Sequence, residues 1–591
     1  MEEGVLAEEI SRIYLDGDRP GIKEFHGPWG SLAVSRNLYN GFKTYETERY
    51  IITVIGGPVL TFRDNLFLRD ETSDEGTQAV FERWLAGEMK WDEDLSGPFV
   101  VFSVHKMTGD VHCITDLMSF IPVYIYKENG NIMLSTHVDA LAGVCGEAEN
   151  IDPVSEADFI LHGVVTYPYT VYKNIRQAAP ASVHEIHGET DRYTEQHYWL
   201  PEEKTAFSSI HEAAVTVRQA LHRYVVEVTR GMDHIAQFIS AGEDSRLLSG
   251  LLPKEKIRDA FVFLDSMNRE GKIAKKAAEA YGARFHVKFR KKTHYIDMLP
   301  VCHELVGGGA QYHHVHTYLF HKTCKLAEYP AVFGGLFSDA LLKGARIRKI
   351  RGSTRLPFLP DLKSKHYSPA NPLKHDVFSP EVLAEIEKRR RDHFNYVKTF
   401  RHESAGEWFE LWPASMNMNI SNIYGNRRLF KSYEPFMSKD IVKVSASVPQ
   451  KWKMNRKLFL AVAKPLLEPA KWLMHGDGRF PYFPWYVNIW IQFFYWLWEE
   501  LLKKLKVING NQGSWADWDA VFQSKAWKQT LHLYKDGINR LDEVFIEKDP
   551  EKLMERFDLL KKLNLIQVLY SLSDNRRKTG DAAGGKKVNG Q

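Results

Sequence analysis

Cysteine is scarce. Cys113, Cys145, Cys302 and Cys324 are the four in 591 residues, and no two stand in a CxxC pair. This excludes a disulfide scaffold and argues against a zinc ribbon, and it fits a reducing compartment. A block of one charge is also lacking: 78 Lys plus Arg meet 75 Asp plus Glu, for a net charge of +3. The basic footprint of a nucleic-acid binder is therefore missing. The opening MEEGVLAEEI has neither the basic segment nor the apolar run of a secretion signal, so the expectation is a cytoplasmic protein. The aromatic stretch Pro484 to Trp498 (PWYVNIWIQFFYWLW) carries Asn488 and Gln492 and falls short of the roughly 20 residues that cross a bilayer. It reads as a helix packed into a C-terminal bundle. The alternative is a helix at a membrane surface, which its rings and the following LLKKLK would suit.

What is present is an ordinary globular composition, 44% hydrophobic and 26% charged, long enough for about two to four domains. Up to about residue 200 the texture is sheet-rich. YIITVIGGPVLTF, PFVVFSVHKMTGDVHCITD and PVYIYKENGNIMLST are strand runs broken by the turns Thr108-Gly109-Asp110 and Asn129-Gly130-Asn131. Asp74 to Met89 has helical spacing, which makes this part mixed α and β. From His211 helix and strand alternate: IHEAAVTVRQALHRYVVEVTR, HIAQFIS, DSRLLSGLL, AFVFLD, REGKIAKKAAEAYG, ARFHVKF. That order predicts a parallel, doubly wound sheet with its ligand beyond the strands' carboxyl ends. After Arg390 the chain turns helical and aromatic, and TGDAAGGKKVNGQ reads as a disordered tail. The expected division is 1–200, 201–575 and 576–591.

The stretch Ser240-Ala241-Gly242-Glu243-Asp244-Ser245 reads as a turn between the strand ending at Ile239 and a helix starting at Arg246. Successive backbone N–H groups there, backed by a helix dipole, make an anion nest suited to phosphate. Gly242 permits close approach, and the Ser240 and Ser245 hydroxyls add donors. Asp244 beside phosphates makes sense if Mg²⁺ lies between them. The bland alternative is an ordinary helix N-cap.

SAGEDS resembles the SGGxDS pyrophosphate loop of the asparagine synthetase family and its N-type ATP pyrophosphatase relatives. Three further segments support the resemblance, in order along the chain. FVFLDSMNREGKIAKKAAEAYGARFHV is similar to the family's next βαβ unit. AVFGGLFSDALLKG, with Gly334, Gly335, Asp339, Lys343 and Gly344, is similar to its G-x-x-x-D-x-x-x-x-G segment. EPFMSKDIVKVSASVPQKWKMNRKLFLAVAKPLL is similar to its PFLD…K-x-x-L stretch. The resemblance implies ATP and Mg²⁺, with Asp339 as a second metal ligand beside Asp244. It implies Lys457 as the lysine that steadies charge during attack on the adenylate, and Glu434 as an acid acting near the acceptor. Ala241, Ala340 and Met437-Ser438 depart from the asparagine-forming branch, so aspartate is not the expected substrate.

The first 200 residues resemble a class II glutamine amidotransferase domain, through DLSGPFVVFSVHKMTGDVHCITDLMSFIPVYIYKENGNIMLSTHVDAL and NIRQAAPASVHEIHGETDRYTEQHYWLP. The implied fold is an Ntn-hydrolase-like αββα sandwich, followed by an adenine-nucleotide α-hydrolase-like synthetase domain with a helical C-terminal part: α+β, then α/β. That family's N-terminal cysteine nucleophile has no counterpart, since Glu2 follows Met1 and the first cysteine, Cys113, lies inside a strand. Ile55-Gly56-Gly57 stands where the family has Asn-Gly. The expectation is an ATP-dependent amide-forming ligase without glutaminase activity, acting on a small-molecule or peptide carboxylate and an amine, with a homodimer possible and no nucleic acid or membrane span. Its rivals are an ammonia-fed asparagine synthetase and a silent scaffold or nucleotide sensor. His313, His314, His316 and His321 invite a zinc reading, but their spacing favours core or substrate-pocket histidines. Lys343 and Arg346 read equally as pyrophosphate partners or as a solvated face.

Overall fold

The computed structural model of the chain describes residues 2–15, 19–70, 73–128, 130–190, 192–352, 356, 358–365, 375–504 and 511–574. The expected tail, 576–591, lies outside the described residues.

Six antiparallel strands form the large N-terminal sheet, in the order Arg192–His197, Ser182–His187, Val111–Thr115, Phe99–His105, Tyr50–Gly56, Tyr45–Glu46. Alternation along the strands gives it two apolar faces. On one, Phe81 of the helix Glu75–Leu85 meets Tyr50 at 5.3 Å between ring centres. On the other, Val100, Phe102 and Cys113 pack with Leu134 of a three-stranded sheet made of Asn131–Ser135, Tyr124–Glu128 and Ile175–Gln177. The helix Val138–Cys145 closes the stack, its Val138, Leu141 and Ala142 clustering with Tyr126 and Met133. The layers run helix, sheet, sheet, helix.

The second half holds a five-stranded parallel sheet, ordered Arg284–Phe289, Ile257–Leu264, His234–Phe238, Val332–Phe333, Ser432–Tyr433. Both its faces are covered, as parallel sheets require. Ala260, Val262 and Leu264 cluster with Ala274, Ala277 and Ala278 of the helix Arg269–Ala280. The alternate residues Ala236, Phe261 and Val332 meet Phe320, Leu326 and Phe430 on the other side. The alternating helix and strand texture predicted this sheet. One boundary differs: the helix after the first parallel strand begins at Glu243 rather than Arg246. Gly242, extended at φ −71° and ψ 157°, is its N-cap, and Glu243 and Asp244 in the first turn suit the positive end of the helix dipole.

The aromatic stretch is the helix Trp485–Lys504. The packed-helix expectation holds on one face only, where Asn488 bonds Phe480 and Tyr495 and Glu499 bond Arg269. Trp490 and Phe494, 67% and 64% exposed, look outward. Among the described residues no helix is long and apolar enough to cross a membrane.

Candidate functional site at the carboxyl edge of the parallel sheet

Each site segment leaves the carboxyl end of a parallel strand: Ser240–Ser245 after His234–Phe238, Gly334-Gly335 after Val332–Phe333, and Glu434 after Ser432–Tyr433. The loop is closed on itself. The Ser240 N–H donates to Ser245 Oγ at 3.1 Å, the Gly242 N–H to Ser240 Oγ at 3.0 Å, and the Ala241 N–H to Glu270 Oε1 at 2.6 Å. Arg246 fastens the loop's rear by donating to the carbonyls of Ala241, Leu473 and Met474, each at 2.8 Å. No side chain caps the helix Glu243–Leu251, so the N–H groups of its first turn have no side-chain acceptor.

Asp244 and Asp339, nearly a hundred residues apart in the chain, converge on one atom. Lys343 Nζ lies 2.6 Å from Asp244 Oδ1, 2.7 Å from Asp339 Oδ1 and 3.0 Å from Glu243 Oε1. Ser338 Oγ donates to Asp244 Oδ1 at 2.7 Å. The helix Ser338–Leu342 makes this possible by following a left-handed Phe337, φ 68°. Gly335 lies beside Asp244, where a Cβ would make an ordinary contact at 3.4 Å with Asp244 Cβ.

Glu243 is the buried hub. Besides Lys343, it receives both edges of the Arg456 guanidinium and Arg479 Nη2 at 3.2 Å. Burial opposes its charge, yet Lys343, Arg456 and Arg479 outweigh this and hold its pKa far below the usual range. Burial likewise opposes the charge of Lys343, and Asp244, Glu243 and Asp339 together overcome it and raise its pKa. For Asp244 burial wins: its pKa is raised, with Asp339 and Glu243 adding to the effect and Lys343 opposing it. Three carboxylates thus face three cations. An added cation would relieve Asp244, and two carboxylates converging on one point beside phosphate oxygens is how Mg²⁺ is commonly held. The residues fit that ion, although among the described residues no group of three or more His, Cys, Asp or Glu forms a metal cage.

Glu434 is 1% exposed. It accepts the Leu336 N–H at 2.9 Å and lies so close to Gly334 that any Cβ there would collide with its carboxyl. Burial pushes its pKa up to about 8, against the hydrogen bonds donated by the Leu336 N–H and the Ser432 hydroxyl. Lys457 is exposed, at the start of the helix Lys457–Ala463. Its neighbour Arg456 is the residue that reaches Glu243, because Asn455 and Arg456 both take left-handed φ values, 52° and 61°, and turn the chain. Sequence reasoning missed Arg456, Arg479 and Glu270. Only the basic run K-W-K-M-N-R-K hinted at the first.

Lys343 proves to be buried between acids, not on a solvated face. Arg346 lies elsewhere, on Asn417 Oδ1 at 2.6 Å. The histidines form an aromatic pile: His313 and His314 ring centres are 4.6 Å apart and His316 is 4.5 Å from Trp515. Burial keeps all three neutral by lowering their pKa values. Cys113 is fully buried in its strand and burial raises its thiol pKa, the opposite of an activated nucleophile.

No family model and no curated protein matches the chain. Among solved structures it is similar at 11% identity and a TM-score of 0.22 to the "allosteric regulatory enzyme of purine biosynthesis", over 48% of this chain and 77% of that one. At the same identity and TM-score it is similar to glutamine phosphoribosylpyrophosphate amidotransferase from B. subtilis, complexed with ADP and GMP, over 48% and 62%. Likeness at this level carries no functional argument.

Proposed function

We propose that this chain is an ATP-dependent amide-forming ligase of the asparagine synthetase type, lacking a glutaminase of its own. The observation that carries the reading is the meeting of Asp244 and Asp339 at Lys343 Nζ, beside a strand–loop–helix turn whose first-turn donors are uncapped. In the reaction, a substrate carboxylate oxygen attacks the α-phosphorus of ATP and pyrophosphate leaves. An amine then attacks the acyl-adenylate carbonyl, AMP departs, and the amine's proton must be removed. Glu434, with its raised pKa and its position at the neighbouring strand end, is the proposed acceptor of that proton. Lys343, Arg456 and the first turn of Glu243–Leu251 stabilise phosphate charge, and Lys457 at the rim steadies the charge that develops during amine attack. Asp244 and Asp339 would hold Mg²⁺, which when bound neutralises phosphate oxygens.

On this reading, residues 1–200 are an Ntn-hydrolase-like domain that has lost its nucleophile, and 201–575 are the synthetase domain. The nitrogen donor is an amine or free ammonia. The test is carboxylate-dependent exchange of labelled pyrophosphate into ATP, across a panel of acids. Exchange that is unchanged in Asp244→Ala would refute the assignment. The closed loop, with the Ser240, Ala241 and Gly242 N–H groups already engaged, favours one second reading, a silent nucleotide sensor. That reading expects Mg-ATP to raise the melting temperature without any exchange.

A further inference from the structure

A cavity of about 510 Å³ lies in the N-terminal half, far from the residues just described in sequence and independent of the ligase reading. Its walls come from the inner face of the large sheet, the strands Gly30–Ser35 and Asn131–Ser135, the helix Val138–Cys145 and the N-terminal helix Val5–Arg12. Ile13, Phe102 and Leu134 make much of it apolar. The size falls within the range of small-molecule sites.

Its charges do not balance. Arg36, Arg427 and Arg428 line it, and the one lining carboxylate among the described residues, Glu9, is held by Arg12. Arg428 is anchored by carbonyls, those of Leu305 and Tyr424 at 2.9 Å and Thr136 at 3.2 Å. Arg427, delivered from the second half by the helix Ser421–Leu429, makes no ion pair among the described residues, and its Nε and Nη2 have no hydrogen-bond partner. Burial and then the charge of Arg428 depress the pKa of Arg427 to about 9. A guanidinium stays charged in a protein, and a buried charge without a counter-ion is strongly disfavoured. Its retention beside an apolar chamber calls for an anion that the described residues do not supply.

We infer that this cavity binds an amphipathic monocarboxylate, with its apolar body among Ile13, Phe102 and Leu134 and its head group neutralising Arg427. The planar guanidinium fork suits a carboxylate.

Calorimetric titration of the full chain with decanoate and with decan-1-ol tests this. Decanoate is expected to bind one per chain and at least about 10-fold tighter than the alcohol, as a charge-assisted bond implies. Arg427→Met should erase that preference while leaving decanol binding in place. Val144→Phe, which fills the wall and keeps the arginines, should weaken both. The inference is overturned by equal binding of acid and alcohol to the parent chain, by a preference that survives Arg427→Met, or by decanoate binding that Val144→Phe does not reduce. The last would place the ligand elsewhere, for example on the exposed aromatic helix. The Val144→Phe result stands even if Arg427→Met fails to fold.

Discussion

The cluster around Glu243 and the N-terminal cavity handle charge in opposite ways. At the edge of the parallel sheet the carboxylates of Glu243, Asp244 and Asp339 face the cations of Lys343, Arg456 and Arg479. Deeper in the same half, Lys453 Nζ lies 2.7 Å from Glu407 Oε1, both side chains fully enclosed. In the N-terminal half, the cavity keeps Arg427 without an acid among the described residues. A matched set is stable alone and can exchange one cation for another. An unmatched charge is a standing cost that a ligand relieves.

The sharpest way to break this contrast is to orphan one member of a matched pair. Glu407→Ala leaves Lys453 as a lone buried cation, and denaturant unfolding should show a loss of about 3–5 kcal/mol. A loss below about 1 kcal/mol would mean that water reaches the pair. Next, Asp339→Asn is expected to cut pyrophosphate exchange by about 100-fold, read with saturating Mg-ATP. At the adjacent basic residues, Arg456→Met should lower both exchange and melting temperature. Lys457→Met, on the surface, should leave stability within about 0.5 kcal/mol and slow only transfer to the amine. If Lys457→Met destabilises as much as Arg456→Met, the exposed placement of that side chain is wrong.

Glu434 makes a pH-dependent prediction. Its ordinary pKa is 4.5 and burial raises it to about 8. The folded state therefore keeps a proton that the unfolded chain has lost, so stability present below pH 4.5 declines as pH rises toward 8. Melting curves of Glu434→Gln should lack that decline relative to the parent, and its amide formation should be slow at every pH. The smallest effect is expected in the unmatched region. Arg427→Met removes a charge without a partner, so it should leave stability within about 1 kcal/mol or increase it. A large loss would reveal a hidden counter-ion and remove the contrast between the cluster and the cavity.

Much of the site could be read from the sequence because strand–turn–helix punctuation is local. Short strand runs such as HIAQF and AFVFL, each followed by a turn and a helix, the second with alanines at helical spacing, specify βαβ units whatever lies around them. The helix start was misread because Glu243 and Asp244 looked like turn residues, whereas the dipole favours acids in a first turn. The exposure of Trp490 and Phe494 was not legible, since an apolar helix stripe looks the same whether it is covered or bare.

The sequence by itself determined the order of strands and helices along the parallel sheet's βαβ units, and it singled out the acids Asp244, Asp339 and Glu434. Only the tertiary structure decided that Lys343 joins the two aspartates, that Arg456 rather than Lys457 grips Glu243, and that Arg427 crosses from one half to line a cavity in the other. The reason is physical. Helices and strands follow from spacing within a few residues, whereas the protonation and partner of a buried charge depend on which distant segments exclude water around it.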